Sequence, residues 1–139
     1  LPPITVSARE NIARITTSLK ENPTNAALWA ALGLERKGIE DYEGSKEAFE
    51  YALALSPYNA VVADNLGVLY GYYLNDPKKA EEYSRKALDL EPQTAYRYLR
   101  LFEFYLYVLK DSAKAKAILE QGVNANPGDP GLKALLKQL

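Results

Sequence analysis

Four prolines set the frame for this chain: Pro23, Pro57, Pro92 and Pro127 recur at intervals of 34, 35 and 35 residues. Other residues travel with them. Five places before each proline stands a small residue (Ser18, Ala52, Ala87, Gly122), and four places before it an apolar one (Leu19, Leu53, Leu88, Val123). A fixed period in the thirties marks a stack of one repeated supersecondary unit, a solenoid. Each unit buries its apolar side only against its neighbours, so the repeat determines the core as well as the outline.

Local signals divide each period into two helices. Ser7 and Glu10 have capping-box spacing, and Ala8, Ile12, Ile15 and Leu19 then follow on one face, giving a leading half-repeat helix over 7–22. Asn25 is a suitable N-cap for the next helix, which carries Leu28, Trp29, Leu32 and Leu34 and closes at Lys37-Gly38. Asp41 opens its partner, with Ala48, Phe49, Ala52, Leu53 and Leu55 inward. Asp76-Pro77 and Asp129-Pro130 pair an N-cap with proline at the first helical position. Glu81/Arg85 and Glu82/Lys86 at i,i+4 mark a solvated outer face. The expected layout is one domain over 1–139: repeats at 25–58, 59–93 and 94–128, then a C-terminal capping helix at 129–139 with Leu132, Leu135, Leu136 and Leu139 on one stripe. No segment reads as a strand, so the expected fold is all-α.

Composition narrows the chemistry. Hydrophobic residues make up 47 %, enough for a buried core, which argues against disorder. Seventeen basic residues nearly balance 18 acidic ones, so the chain lacks the overall positive charge that draws proteins to nucleic acid. Histidine and cysteine are both absent, which removes the commonest general base, the commonest metal ligand and the usual thiol nucleophile. The glycines form neither phosphate-binding pattern. Glu40, Asp41 and Glu43 crowd one turn but lack a twelve-residue calcium loop, and read as a solvated cap. No enzyme, metal or cofactor is expected, nor insertion of this segment into a membrane. Methionine is absent even at position 1, the expectation for a piece of something longer or a processed form; Leu1-Pro2-Pro3 reads as an extended linker stub.

The phased residues resemble the tetratricopeptide repeat, whose pattern places Trp, Leu-Gly, Tyr, Ala, Phe, Ala and Pro in order. The first repeat offers Trp29, Leu32-Gly33, Ser45, Phe49, Ala52 and Pro57, with Arg36 where the tyrosine belongs. The second offers Leu66-Gly67, Tyr70, Ala80, Ala87 and Pro92, with Ala63 for tryptophan and Ser84, beside Tyr83, in the aromatic place. The third diverges most: Tyr98 replaces tryptophan, Phe102 the glycine, and Leu119 and Gly122 the later Phe and Ala. Phe102 implies a wider or rotated contact, because small side chains set close helix approach. One extra residue in the inter-helix turn would explain the interval of 35. The pentatricopeptide repeat shares this period but reads single-stranded RNA, and both the Trp29/Gly33/Pro57 phasing and the charge oppose it.

The resemblance implies a right-handed α-solenoid, a superhelix whose first helices line a concave groove, and a non-catalytic protein-interaction module. It directs positions 2, 5, 9, 12 and 13 of each first helix to that groove: Ala27, Ala30, Leu34, Lys37 and Gly38; Val61, Asp64, Val68, Gly71 and Tyr72; Tyr96, Leu99, Glu103, Leu106 and Tyr107. Tyrosine suits a contact surface, offering a wide ring and a hydroxyl at small entropic cost. Tyr70 and Tyr51 are expected between helices instead. Some tetratricopeptide domains clamp a chaperone carboxylate with lysine, asparagine and arginine; Asn65 and Arg100 match two places of that clamp, while Ala30, Leu34 and Tyr96 fill the other three and supply no cation or amide for a carboxylate. The expected partner is a protein or peptide. The alternatives are a structural, self-associating or spacer domain in a larger, membrane-anchored assembly, or RNA binding.

Overall fold

The computed structural model describes residues 3–139, with no strand among them. The helices are α1 (Pro3–Glu21), α2 (Ala26–Gly38), α3 (Tyr42–Leu55), α4 (Ala60–Val68), α5 (Pro77–Leu90), α6 (Ala95–Glu103), α7 (Ser112–Ala125) and α8 (Pro130–Lys137). Two of them continue in a wider π turn: α4 through Leu69–Tyr73 and α6 through Phe104–Val108. Three antiparallel pairs, α2/α3, α4/α5 and α6/α7, stack in series between α1 and α8, an α-solenoid.

Capping fixes where the helices begin. Asn25, Asp41, Asn59, Asp76, Asp111 and Asp129 each accept the backbone N–H three residues on, at 2.9 to 3.2 Å. The leading helix departs from the expected start. It begins at Pro3, so Ser7 lies in its second turn and is exposed, not a cap. Proline fits a first turn because the N–H it lacks has no partner there. Pro3 is therefore helix rather than linker; Leu1 and Pro2 lie outside the described residues.

The extra residue of the second and third repeats is also not where the spacing suggested. All three connecting turns have three residues, 39–41, 74–76 and 109–111. Each holds one non-glycine residue in the left-handed region: Glu40 (φ 64°), Asn75 (φ 53°) and Lys110 (φ 55°). The added residue enters the helix end. In the first repeat Ile39 N–H reaches Glu35 O and Asp41 N–H reaches Arg36 O. In the second, Leu74 N–H reaches Leu69 O and Asp76 N–H reaches Tyr70 O, each spanning one residue more. Leu109 to Phe104 and Asp111 to Tyr105 repeat this in the third. A π turn absorbs one residue within a helix and leaves the left-handed turn unchanged.

Close approach explains the phased small residues. A Cβ on Gly33 would lie 2.6 Å from the Phe49 ring, and one on Gly67 would lie 2.4 Å from Ser84 Oγ. The buried Ser45 hydroxyl donates to Gly33 O at 2.7 Å. In the third repeat the space is redistributed: Phe102 and Leu119 are large and buried, and α6 and α7 approach less intimately than α2 and α3. The absent side chain moves to Gly122, whose Cβ would meet Tyr98 Cβ at 2.8 Å. Tyr98 also takes over tryptophan's bond. Trp29 Nε1 donates to Pro23 O at 2.8 Å, and Tyr98 Oη donates to Pro92 O at 2.7 Å.

One core runs from Phe49 through Leu66, Leu69, Leu101, Phe104 and Ile118 to Leu132. A smaller cluster of Leu19, Leu32 and Ala48 joins α1 to the first repeat. Tyr70 is buried as expected; Tyr51 is not. It is half exposed, its ring lying against Trp29 of α2 with the centroids 4.5 Å apart.

Polar bonds tie each first helix to the second helix of the preceding unit. Asn11 Nδ2 donates to Glu35 at 3.1 Å, Tyr70 donates to Glu50, and Tyr105 donates to Glu81 at 3.1 Å while accepting from Arg85 at 2.6 Å. Burial pushes the Tyr105 hydroxyl up to about 12 from its ordinary 10.0; Arg85 opposes the shift and Glu81 adds to it. A hydroxyl raised in the folded state contributes stability that is complete below its unfolded pKa and is lost as pH rises through the folded one. Wild type should therefore lose stability more steeply than Tyr105→Phe between pH 10 and about 12. Urea unfolding across that window tests this: equal slopes would mean that the hydroxyl is not held neutral.

Candidate interaction surface

The first helices α2, α4 and α6 supply the residues expected at a groove, and the structure divides them into three groups. Leu34, Val61, Tyr72, Tyr96 and Tyr107 are exposed. Lys37, Asn65, Val68, Leu99, Arg100 and Glu103 are half-buried. Asp64 is buried, and this corrects its expected role as an accessible contact. The turn it occupies faces α6, whose two arginines enclose it.

Arg100 Nε donates to Asp64 Oδ1 at 3.1 Å and its Nη2 to Oδ2 at 3.3 Å, a two-pronged pair. Arg97 Nη1 stands 3.7 Å from the same carboxylate, and its Nε and Nη2 donate to Glu91 at 3.2 and 2.7 Å. The Arg97 and Asp64 side chains are only 7 % and 10 % exposed. Glu103 approaches Arg100 at 3.9 Å. Burial alone would lower the Arg100 pKa, but the neighbouring carboxylates, Asp64 above all, carry it above its ordinary value. The network joins α4 to α6 and so fixes the second repeat against the third.

Upon this base sit the aromatic rings. Arg100 donates to the Tyr96 hydroxyl, and the guanidiniums of Arg100 and Arg97 lie 4.9 and 5.7 Å from the Tyr96 ring centre. Tyr72 lies near Glu103, Arg100 and Tyr107; burial, then the Glu103 charge, raises its hydroxyl pKa. Counted back from the turns at Asp41, Asp76 and Asp111, Lys37, Tyr72 and Tyr107 occupy one place, so the π turns determine which face these tyrosines reach.

Beyond Tyr96 and Leu99 opens a cavity of about 510 Å³ between α6 and α8. Its α8 wall is Gly131, Leu132, Ala134, Leu135 and Gln138. Sequence reasoning missed this wall by treating α8 as a cap. Counting positions 2, 5 and 9 from Pro130 gives Gly131, Ala134 and Gln138, so the signal was present. The two residues matching a carboxylate clamp are already engaged: Arg100 by Asp64, and Asn65 Nδ2 by Val61 O at 3.0 Å. Among the described residues no cluster of three metal-ligating side chains occurs, and no helix is long and apolar enough to cross a membrane.

A sequence model of the tetratricopeptide repeat family matches residues 73–139. Residues 73–139 are tetratricopeptide-repeat sequence, and solved structures extend the same fold over the rest of the chain. Solved structures share this domain's fold over most of its length. The first tetratricopeptide domain of Spaghetti (RPAP3), bound to the HSP90 peptide SRMEEVD, is 19% identical with a TM-score of 0.65, over 81% of this chain and 88% of that one. MamA is 20% identical with a TM-score of 0.75, over 90% and 72%. A chain of the APC/C hetero-tetramer Cut9-Hcn1 is 22% identical with a TM-score of 0.72, over 89% of this chain but 25% of that one. No curated protein matches the sequence.

Proposed function

We propose that this domain is a non-catalytic protein-interaction module, and that the face carried by α4, α6 and α8 is a concave groove receiving a segment of a partner protein. The observation that carries this reading is the run of exposed Tyr72, Tyr107 and Tyr96 leading into the cavity beside Leu99. Aromatic rings beside a concave apolar opening are the composition of a binding surface, and nothing in the core requires them to be exposed. The tetratricopeptide fold is generally an interaction fold, and the Spaghetti domain of similar structure holds a peptide. A protein guest suits the charges better than a nucleic acid, because carboxylates already neutralise Arg97 and Arg100.

The test compares proteins recovered with the full-length protein from its own source, wild type against Tyr72→Ser/Tyr107→Ser. The substitutions should deplete a specific partner by about tenfold or more, with the helical circular-dichroism spectrum and melting point unchanged. An unchanged set of partners at intact helicity rejects the groove.

A second reading, self-association, has its own observation. Tyr51 and Leu55, four residues apart on α3, and Tyr58 just beyond its end are exposed apolar side chains outside the first helices. Light scattering decides it: a dimer that Tyr51→Ser/Tyr58→Ser dissolves supports a second contact surface, and a monomer at all concentrations excludes it.

A further inference from the structure

Resting on that groove reading, we infer that the cavity between α6 and α8 is an anchor subsite for bulky apolar side chains of a partner segment, and not a receptor for an acidic tail. Its walls are apolar and small: Ala95, Leu99, Leu132, Ala134, Leu135 and Gly131. Two of the three polar side chains at its rim already hold a bond, and the third, the Gln138 amide, is exposed and uncharged. The Asp129 carboxylate accepts Leu132 N–H at 2.9 Å, and the Tyr96 hydroxyl accepts from Arg100. An acidic guest group would give up water there and meet no cation among the lining residues, which is unfavourable.

Charge leads to the same guest. No cation lines the cavity: on α6, Arg97 and Arg100 are bound by Asp64 and Glu91, and on α8 the exposed Lys133 and Lys137 lie outside the lining. An acidic peptide would have to displace a bidentate internal carboxylate, so it gains little. A volume of about 510 Å³ lies within the range of roughly 300–1,000 Å³ seen for sites that enclose a compact ligand. Tyr96 has a fixed place on the rim. Its hydroxyl is bonded to Arg100 and its ring lies beside two guanidiniums, so it is a ready-oriented wall. Arg100 and Asp64 act through Tyr96 as positioning residues.

Selection of a random linear peptide display library on the immobilised 139-residue chain tests this. Enriched sequences should carry paired bulky apolar residues without an acidic bias. The selected peptides, synthesised with blocked ends, should bind with little dependence on salt. Ala134→Phe, at an exposed position on the cavity wall, should fill the space and weaken them about tenfold or more. Gln138→Trp, on the same wall, gives an independent obstruction if the first variant alters the helical spectrum. Enrichment of acidic sequences, or of ones needing a free carboxylate, overturns the inference and leaves the groove reading standing. So does equal affinity for the filled variants. Failure to enrich any peptide overturns the groove reading, and the anchor subsite with it.

Discussion

Replacing Asp64 with alanine should cost about 3 kcal/mol of unfolding free energy, the lower part of the range for removing one partner of a buried ion pair. The loss arises chiefly from what remains. Arg100 would keep its half-buried position with Glu103 as its remaining carboxylate, at 3.9 Å, and Arg97 would keep Glu91 alone. Removing the whole cluster is a different experiment. Asp64→Leu/Arg97→Leu/Arg100→Met should cost less than Asp64→Ala, because the carboxylates left without partners, Glu91 and Glu103, are more than a third exposed and stay solvated. Urea unfolding of the two variants separates the cases. If Asp64→Ala costs less than about 1 kcal/mol, the network is a solvated surface pair and not the joint between the second and third repeats.

The second large effect lies in the first repeat. Gly33→Ala drives a methyl group into the Phe49 ring, and overpacking of this kind costs about 2 kcal/mol. Gly38→Ala, in the same helix, meets nothing within 4 Å and should be neutral or stabilising by up to about 1 kcal/mol. Phe49→Leu should relieve part of the Gly33→Ala penalty, so the double variant should fall above the sum of the single ones. Equal melting points for the two glycine variants would show that α2 and α3 do not touch at Gly33.

The sequence made the fold legible because periodicity and capping are local and repeat in phase. Pro23, Pro57, Pro92 and Pro127 with their small and apolar companions give the unit, and Asn25, Asp41, Asp76 and Asp129 give helix starts that the structure contains. Spacing alone gave the count of the extra residue but not its location, since a turn and a π turn lengthen the chain equally. Hydrogen bonds from Leu74 and Asp76 decide between them. At the candidate site, exposure followed position for Leu34, Tyr72, Tyr96 and Tyr107. Asp64 broke the pattern because its burial depends on Arg97 and Arg100, more than thirty residues away, and no local signal reports such a pairing. Tyr51 failed for the opposite reason. Composition marks it as core, yet its position on α3 leaves half of the side chain in solvent.

The most direct measurement is site-specific photo-crosslinking in the full-length protein within its host, with the reactive residue placed in turn at Tyr72, Tyr107, Lys86 and Glu120. Tyr72 and Tyr107 belong to the first helices, while Lys86 and Glu120 are exposed on the second helices α5 and α7. The account predicts one shared protein adduct from Tyr72 and Tyr107 and none of that mass from Lys86 or Glu120. Adducts from the second-helix positions alone would place the working surface on the opposite side and contradict it.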